Sequence, residues 1–239
     1  MSGYAFDSSK LRQPNWSSGK KPAVLVSCGS FSPITFLHLR MFEMARDQLN
    51  SSGWDVLGAF ASPVADAYGK KDLASADDRF EMVRLALESS DWIALDRWEG
   101  LKSEWTRTRV TLEHFQAQVD AVCGTHNGQQ VRVQLLCGSD LLDSFNTPNL
   151  WAVDDMTAIL QRFGVCVIER DTNATSEVIF GNDLLYANRE HIAMVKQHVA
   201  NDISSTKIRL CLRRGLSIKY LTPDPVIEYL QRRNLYTKQ

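Results

Sequence analysis

The sequence lacks the patterns that mark secreted, membrane-spanning and disulfide-built proteins. Its five cysteines, at positions 28, 123, 137, 166 and 211, include no C-x-x-C pair. No apolar run approaches the roughly 18 residues that span a membrane, and the N-terminus has no apolar segment of the signal-peptide kind. We therefore expect reduced core cysteines in an intracellular protein, cytoplasmic or nuclear, without a membrane partner.

The common motifs of metal and covalent catalysis are also missing. The five histidines, at positions 38, 114, 126, 191 and 198, have no partner at metal-ligand spacing, and no G-x-S-x-G nucleophile motif occurs. These absences predict that no metal is held by protein ligands. A net charge of −1 argues against a polyanion binder, so we expect no nucleic-acid partner and only a local anion site.

The composition is that of a globular protein. The 239 residues are 44% apolar and 23% charged, which suits one sizeable core. Residues 1–21 are polar and rich in serine, glycine and lysine. We expect them to form a flexible N-terminal arm, followed by a single domain over residues 22–239.

Short apolar runs alternate with helical patterns along this domain. The alternation predicts an α/β fold: a Rossmann-like, doubly wound parallel sheet with helices on both faces and a C-terminal helical part. The predicted helices lie at about residues 36–49, 76–88, 103–122, 154–163, 182–189, 203–214 and 225–233. The predicted strands are Ala23–Cys28, Val56–Ala61, Trp92–Leu95, Val131–Cys137, Val165–Ile168 and Ile192–Val195.

The loop after the first predicted strand, residues 29–35, is the most informative stretch. It begins Gly-Ser-Phe and leads into a helix that carries His38 in its first turn. Glycine lets the backbone approach a ligand, and the free N–H groups at a helix start attract anions. Its glycine spacing matches neither G-x-G-x-x-G nor G-x-x-x-x-G-K-[ST]. It resembles the H-x-G-H-like loop of nucleotidyltransferases, with Thr-Phe-Leu-His at residues 35–38.

Two other segments could reach the same edge of the sheet. Asp140 follows Gly138 directly after a predicted strand, where it could cap a helix or accept hydrogen bonds from a ribose or amide. Residues 203–223 hold five basic side chains and no acidic one. Lys207 and Arg209 lie in the first turn of a predicted helix, where cations oppose the helix dipole. An anionic ligand would remove that conflict. Without ligand, loss of either side chain should leave the protein as stable as before or slightly more so, since a cation is removed from the positive end of a helix.

Two tryptophans suit a flat aromatic ligand. Trp105 stands in a polar stretch, Lys-Ser-Glu-Trp-Thr-Arg, and Trp151 follows a Pro-Asn-Leu loop. Tryptophan is more often a core residue, but a polar neighbourhood favours a stacking platform for a ring.

Assembled, these residues resemble the eukaryotic nicotinamide/nicotinate mononucleotide adenylyltransferases, from about Val24 to Tyr236. The resemblance rests on six blocks in family order. They are GSFSPIT…HLR from residue 29, SPV…DAY from 62, WE…EW from 98, LLCGSDLL from 135, PNLW from 148 and NDISSTKIR from 201.

The resemblance implies roles for particular side chains. His38, Lys70 and Arg209 would be catalytic, stabilising charge on the phosphates. The mononucleotide site would comprise Trp105, Thr108, Leu150, Trp151 and Arg170. The residues that bind ATP and NAD would be Gly29, Ser30, Phe31, His38, Lys70, Gly138, Asp140, Asn201, Thr206, Lys207, Ile208 and Arg209.

The resemblance also implies a reaction. The adenylyl group of ATP passes to nicotinamide mononucleotide, or nicotinate mononucleotide, giving NAD or its deamido form and pyrophosphate, with Mg²⁺ carried by the ATP phosphates. Family members commonly form homo-oligomers. The alternatives are another adenylyl- or cytidylyltransferase of the same fold and a nucleotide-binding protein with a chaperone role.

Overall fold

The computed structural model describes residues 3–169 and 172–237. Within these residues, six parallel strands form one sheet and two short strands form a hairpin. In chain order the strands are β1 (Lys21–Gly29), β2 (Trp54–Pro63), β3 (Ile93–Leu95), β4 (Thr125–His126), β5 (Gln129–Gln130), β6 (Arg132–Gly138), β7 (Val165–Glu169) and β8 (Ile192–Lys196).

Helices cover both faces of the sheet, as predicted. α1, α2, α8 and α9 pack on one face, and α3 to α7 contribute buried side chains to the other. Their bounds are α1 (Phe36–Ser51), α2 (Ala76–Ala86), α3 (Thr108–Cys123), α4 (Ser139–Ser144), α5 (Val153–Ala158), α6 (Thr172–Phe180), α7 (Asp183–Ala187), α8 (Ser205–Arg213) and α9 (Asp224–Arg232).

The strand order places a switch point between β1 and β6. The order is β3-β2-β1-β6-β7-β8, so the chain winds outward in one direction from β1 and in the other from β6. Ligands bind in the crevice beyond the carboxyl ends of the strands at such a point. Gly29 ends β1 and Gly138 ends β6, which confirms that the two glycine segments share one edge.

All six predicted strands are confirmed, because continuous apolar runs buried on both faces are easy to recognise. The helix predicted from residue 103 instead begins at Thr108. Residues 103–107 offer only Trp105 as an apolar side chain, and it is exposed, so no buried helix face can form there. The segment between α3 and β6 contains the β4–β5 hairpin, and α4 and α6 were not predicted.

The expectation of a flexible N-terminal arm is corrected by its contacts. The ring of Phe6 lies 4.8 Å from that of Phe60, centroid to centroid, and Leu11 is buried. The backbone N–H of Arg12 donates to the carbonyl of Leu57 in β2 at 3.0 Å. The arm therefore packs on the sheet, because its few apolar side chains find a face to bury.

The structure also bears on the cysteines and on membrane-spanning segments. All five cysteines are free thiols, and Cys137 and Cys166 are buried in strands. In the described ranges, no helix is long and apolar enough to cross a membrane.

Packing of the arm gives a testable prediction. Leu11 touches Gly58 of β2 so closely that a Cβ there would lie 3.2 Å from its side chain. We expect Leu11→Ala to lower the free energy of unfolding by about 2 kcal/mol, through lost burial and the cavity it leaves. Leu216→Ala, at a leucine that is 55% exposed, should change it by less than about 0.5 kcal/mol. Urea denaturation measures both values, and equal losses of unfolding free energy in Leu11→Ala and Leu216→Ala would show that the arm is not packed.

Candidate active site

A cavity of about 790 Å³ opens at the carboxyl ends of β1 and β6. Its walls come from loops that are far apart in the sequence, which the switch point brings together. Eleven of the residues predicted from the sequence line it: Gly29, Ser30, Phe31, His38, Lys70, Trp105, Thr108, Gly138, Asp140, Leu150 and Trp151.

The loop after β1, residues 29–35, forms one wall and is bent sharply. Phe31 adopts a φ of 43°, in the left-handed region that non-glycine residues seldom occupy, and its side chain is buried. A Cβ at Gly29 would lie 3.2 Å from the Phe31 ring, tighter than most Cβ contacts, so glycine favours this close approach. Backbone strain of this kind is held in place by surrounding contacts and clusters at functional sites.

The carbonyl oxygens of this loop are held by donors from elsewhere in the chain. Five of the six carbonyls from residue 29 to residue 34 accept a hydrogen bond from outside the loop, and two of these donors are the hydroxyls of buried or half-buried side chains. Carbonyl oxygens facing a phosphate would repel it, whereas N–H groups attract it. The pairs, each given as donor and accepting carbonyl, are Val64 N to residue 29 (3.0 Å), Arg79 Nη1 to residue 30 (3.4 Å), Arg209 Nη1 to residue 32 (2.8 Å), Ser205 Oγ to residue 33 (2.8 Å) and Thr222 Oγ1 to residue 34 (2.7 Å).

His38 is the third residue of α1 and completes a capping box with Thr35. Its Nδ1 accepts a hydrogen bond from the backbone N–H of Thr35 at 3.0 Å and lies 2.8 Å from the Thr35 hydroxyl. Since Nδ1 is an acceptor, the proton of the neutral ring is on Nε2. The first turn of α1 carries no acidic residue, so its positive end remains suited to an anion.

Arg79 connects this loop to the segment that carries Lys70. Its side chain has no exposed surface. It donates from Nε to the carbonyl of Ala74 at 2.9 Å and from Nη2 to the carboxylate of Asp66 at 2.7 Å, besides its contact with Ser30. The loops after β1 and β2 are therefore fixed relative to each other by one buried cation.

The two predicted tryptophans line the same cavity from different segments. Trp105 is 52% exposed. Trp151 packs 4.8 Å from the Phe145 ring, centroid to centroid, and its indole N–H donates to the Ser144 hydroxyl at 3.0 Å. An exposed indole and a tethered one can hold a flat ring between or beside them.

A buried carboxylate joins the segments that carry these tryptophans. Asp155, at the start of α5, is buried and pairs with Arg107 at 3.4 Å and with Arg109 at 3.2 Å. Arg107 and Asp155 themselves line the cavity. Sequence reasoning missed this pair, since an aspartate in the first turn of a helix and an arginine in a polar loop are both commonplace.

Close approach also explains the glycine at the end of β6. A Cβ at Gly138 would lie 2.6 Å from Oδ1 of Asp140. Glycine thus allows the Asp140 carboxylate to turn back over the strand end, where it lines the cavity. This geometry suits an acceptor for ligand hydroxyls, one of the two roles left open by the sequence.

Glu99 is a cavity residue that sequence reasoning named only as part of a motif. It is 2% exposed, and its Oε2 accepts a hydrogen bond from the Ser62 hydroxyl at 2.8 Å. Burial raises its pKa from 4.5 to about 7, although hydrogen bonds from Ser62 and Cys28 and the charge of Arg79 act in the opposite direction. No local pattern distinguishes such a glutamate, because its burial depends on the fold.

The predicted residues of the C-terminal part do not line the cavity. Lys207 forms an ion pair with Asp202, Asn201 Oδ1 accepts a hydrogen bond from the Ile203 N–H, and Ile208 is buried in the core. Thr206 lies at the exposed start of α8, and Arg170 falls outside the described residues.

Arg209 departs from its predicted setting. Its side chain is buried rather than displayed on a helix surface, and it donates to the Ser32 carbonyl and the Thr206 hydroxyl. The expectation that its removal leaves the ligand-free protein equally stable therefore does not fit the structure. Loss of this side chain would leave a buried carbonyl without its donor.

Comparison with known proteins agrees with this architecture. Residues 26–210 match the family described as cytidylyltransferase-like. The nicotinamide/nicotinic acid mononucleotide adenylyltransferase of Arabidopsis thaliana is 42% identical over 230 residues, which cover 96% of each chain. The chain belongs to the nicotinamide/nicotinic acid mononucleotide adenylyltransferase family. Its members are nucleotidyltransferases by name, and the resemblance read from the sequence blocks is confirmed.

Two further comparisons bear on length and fold. The nicotinamide/nicotinic acid mononucleotide adenylyltransferase 2 of Saccharomyces cerevisiae is 44% identical over 96% of this chain, but the chain spans 59% of that relative's length. A solved structure of Plasmodium falciparum nicotinic acid mononucleotide adenylyltransferase complexed with NaAD has a TM-score of 0.62 at 21% identity, covering 90% of this chain and 97% of that one. This structural similarity supports the fold described above for this chain.

The buried glutamate gives a prediction on pH dependence. A raised pKa means that Glu99 contributes stability below about pH 4.5, and that this contribution is lost as the pH rises through about 7. In wild type the free energy of unfolding should therefore fall by up to about 3 kcal/mol as the pH rises from about 4.5 to about 7. Glu99→Gln should not show this fall.

Thermal melts from pH 5 to pH 8 measure this effect. The melting temperature of Glu99→Gln should rise relative to wild type as the pH increases. Glu104→Gln, at an exposed glutamate near the cavity, is the control and should follow wild type throughout. Parallel curves for Glu99→Gln and wild type would contradict the assignment.

Proposed function

We propose that this chain transfers the adenylyl group of ATP to nicotinamide mononucleotide, and also to nicotinate mononucleotide, with release of pyrophosphate. The observation that carries the proposal is one cavity lined by a phosphate-type loop with His38 and Lys70 and by Trp105 and Trp151. Such a cavity offers anion contacts and aromatic stacking within reach of one dinucleotide. The names of the family's members support the same reaction.

The chemistry requires positioning and charge stabilisation. A phosphate oxygen of the mononucleotide attacks the α-phosphorus of ATP, a new P–O bond forms, and the bond between the α-phosphorus and the β-bridging oxygen breaks, so pyrophosphate leaves with the electron pair. The attacking phosphate is already ionised at neutral pH, so no general base is needed. Preorganised donors then lower the barrier by stabilising charge on the phosphates.

In this proposal His38 donates from Nε2 to an ATP phosphate, and Lys70, exposed at the cavity, supplies a mobile positive charge. Arg209 supports the loop that presents N–H groups to the phosphates, and its buried Nε has no hydrogen-bond partner among the described residues. Binding of ATP by Asn201 and by residues 206–209 stays a prediction. Gly138 and Asp140 receive ribose hydroxyls.

The pyridine ring is assigned to the tryptophan side of the cavity. Trp105 stacks on the ring, Trp151 and Leu150 complete its pocket, and Thr108 lies beside it at the start of α3. Arg170 stays a predicted ligand contact. The ion pairs of Asp155 hold these segments together before any ligand binds.

Mg²⁺ enters the proposal as part of the ATP substrate. Mg²⁺ usually reaches phosphoryl-transfer sites bound to substrate phosphates, where it neutralises charge and orients the leaving group. Over residues 3–169 and 172–237, no group of three or more His, Cys, Asp or Glu side chains is placed to hold a metal ion. Of the three carboxylates among the described residues that line the cavity, Glu99 and Asp155 are engaged with protein groups, and Asp140 is the one assigned here to ribose hydroxyls.

The partners proposed for this site are small-molecule nucleotides. Homo-oligomerisation, which family resemblance suggests, stays a prediction that light scattering tests directly.

The decisive test mixes the purified chain with ATP, Mg²⁺ and nicotinamide mononucleotide and follows pyrophosphate and NAD together. Equal amounts of both products should form, none without the mononucleotide, and CTP should not replace ATP. A His38→Ala protein should be folded and about 10²–10³-fold slower. Pyrophosphate without NAD, or turnover with CTP in preference to ATP, would overturn the proposal.

The tryptophan platform gives a separate prediction. Trp105→Ala should raise the KM for nicotinamide mononucleotide roughly tenfold or more and change the KM for ATP much less, because ring stacking is worth about 1–3 kcal/mol per base. Trp16→Ala, which removes a tryptophan packed near the β4–β5 hairpin, should leave both constants unchanged. Equal increases in both constants for Trp105→Ala would place this side chain outside the pyridine site.

A further inference from the structure

One peptide unit in the loop after β1 connects His38 to a residue near the C-terminus. The carbonyl of Ile34 accepts a hydrogen bond from the Thr222 hydroxyl at 2.7 Å. The N–H of the same peptide belongs to Thr35 and donates to Nδ1 of His38 at 3.0 Å. Thr222 and His38 thus lie at opposite ends of a single planar amide, whose two groups cannot rotate independently.

The surroundings of this amide exclude water. Ile34, Thr35 and Thr222 all have 0% exposed surface. A carbonyl that loses its donor in such a place stays unsatisfied, since no solvent replaces the bond. Hydrogen bonds at the two ends of one amide also polarise each other, so the contact at the carbonyl strengthens donation by the N–H.

The peptide on the other side of Thr35 is held by the same segment. The N–H of Phe36 donates to the carbonyl of Leu221 at 3.1 Å. Residues 221 and 222 therefore fix the amides before and after the N-cap of α1. The orientation of the cap, and with it the capping box that includes His38, depends on a segment lying almost 190 residues further along the chain, as the 188-residue separation of the Thr222–Ile34 bond shows.

We propose that Thr222 is a positioning residue for adenylyl transfer: through the amide between residues 34 and 35 it holds His38 in the Nε2–H tautomer. The proposal rests on the function proposed above. Thr222 has no exposed surface, so it touches no substrate and acts through His38. Without the Thr222 hydroxyl, the amide can rotate, and Nδ1 of His38 then loses the well-aligned N–H of Thr35 as its donor.

The ligand-free protein supplies the first test. Nitrogen NMR of protein labelled in its histidine rings distinguishes the two tautomers, and the spectrum of His38→Ala assigns the His38 signals among the five histidines. Wild type should show a protonated Nε2 and a hydrogen-bonded, unprotonated Nδ1. In Thr222→Val, which keeps the shape and removes the hydroxyl, these signals should shift toward a mixture of tautomers.

Kinetics supply the second test. Thr222→Val should lower kcat about tenfold and leave the KM for the mononucleotide unchanged, since misplacing one donor affects the chemical step. Thr222→Ser retains a hydroxyl and should recover most of the loss. Tyr229→Phe is the matched control: it removes a buried hydroxyl contact with Asp78 from the same C-terminal part, so it should lower stability without lowering kcat.

The outcomes separate this proposal from the function on which it rests. A wild-type ring protonated on Nδ1, or unchanged His38 signals in a folded Thr222→Val, overturns the positioning role whatever the enzyme activity. Failure of Thr222→Ser to recover kcat, or an equal loss in Tyr229→Phe, does the same. If Thr222→Val does not fold, the wild-type tautomer and the Thr222→Ser kinetics still decide. Absence of turnover in wild type would instead refute the proposed function.

Discussion

The guanidinium of Arg79 is buried without exposed surface, and the arrangement of the cavity depends on how it is satisfied. Desolvating a cation costs several kcal/mol unless partners replace its water. The partners here are two loop carbonyls and the Asp66 carboxylate. To satisfy this one charge, the loops after β1 and β2 must stay in a single relative position, and that position brings His38 and Lys70 to one cavity.

The same logic recurs on the other side of the switch point. Asp155 is a buried anion satisfied by two arginines, and it fixes the segments that carry the two cavity tryptophans. The sheet alone would only bring strand ends near each other. Buried charges and the donors to the loop carbonyls turn that proximity into a defined site, with N–H groups directed toward anions and aromatic faces toward a ring. This preorganisation is what the proposed reaction needs, since the protein contributes no covalent step.

Sequence reasoning recovered what local pattern encodes. The strands are continuous apolar runs, the loop after β1 has its small residues at fixed offsets, and Trp105 is apolar in a polar stretch; each can be recognised from neighbours alone. The importance of Arg79, Glu99 and Asp155 was not predicted, because it arises from burial and from partners that the fold brings together. Arg209 was recognised as basic, but its burial against the loop was not, since helix periodicity does not reveal which face another loop will cover.

The most direct test of this account is a crystal structure with NAD bound. We expect the diphosphate to lie against the loop after β1, near Nε2 of His38, and the pyridine ring to lie against Trp105 and Trp151. A smaller cavity, of about 360 Å³, lies beside the N-terminal arm and is lined by Tyr4, Lys10 and Arg97 among others. Density for NAD in that cavity, or a dinucleotide bound with its adenine against the tryptophans, would contradict it.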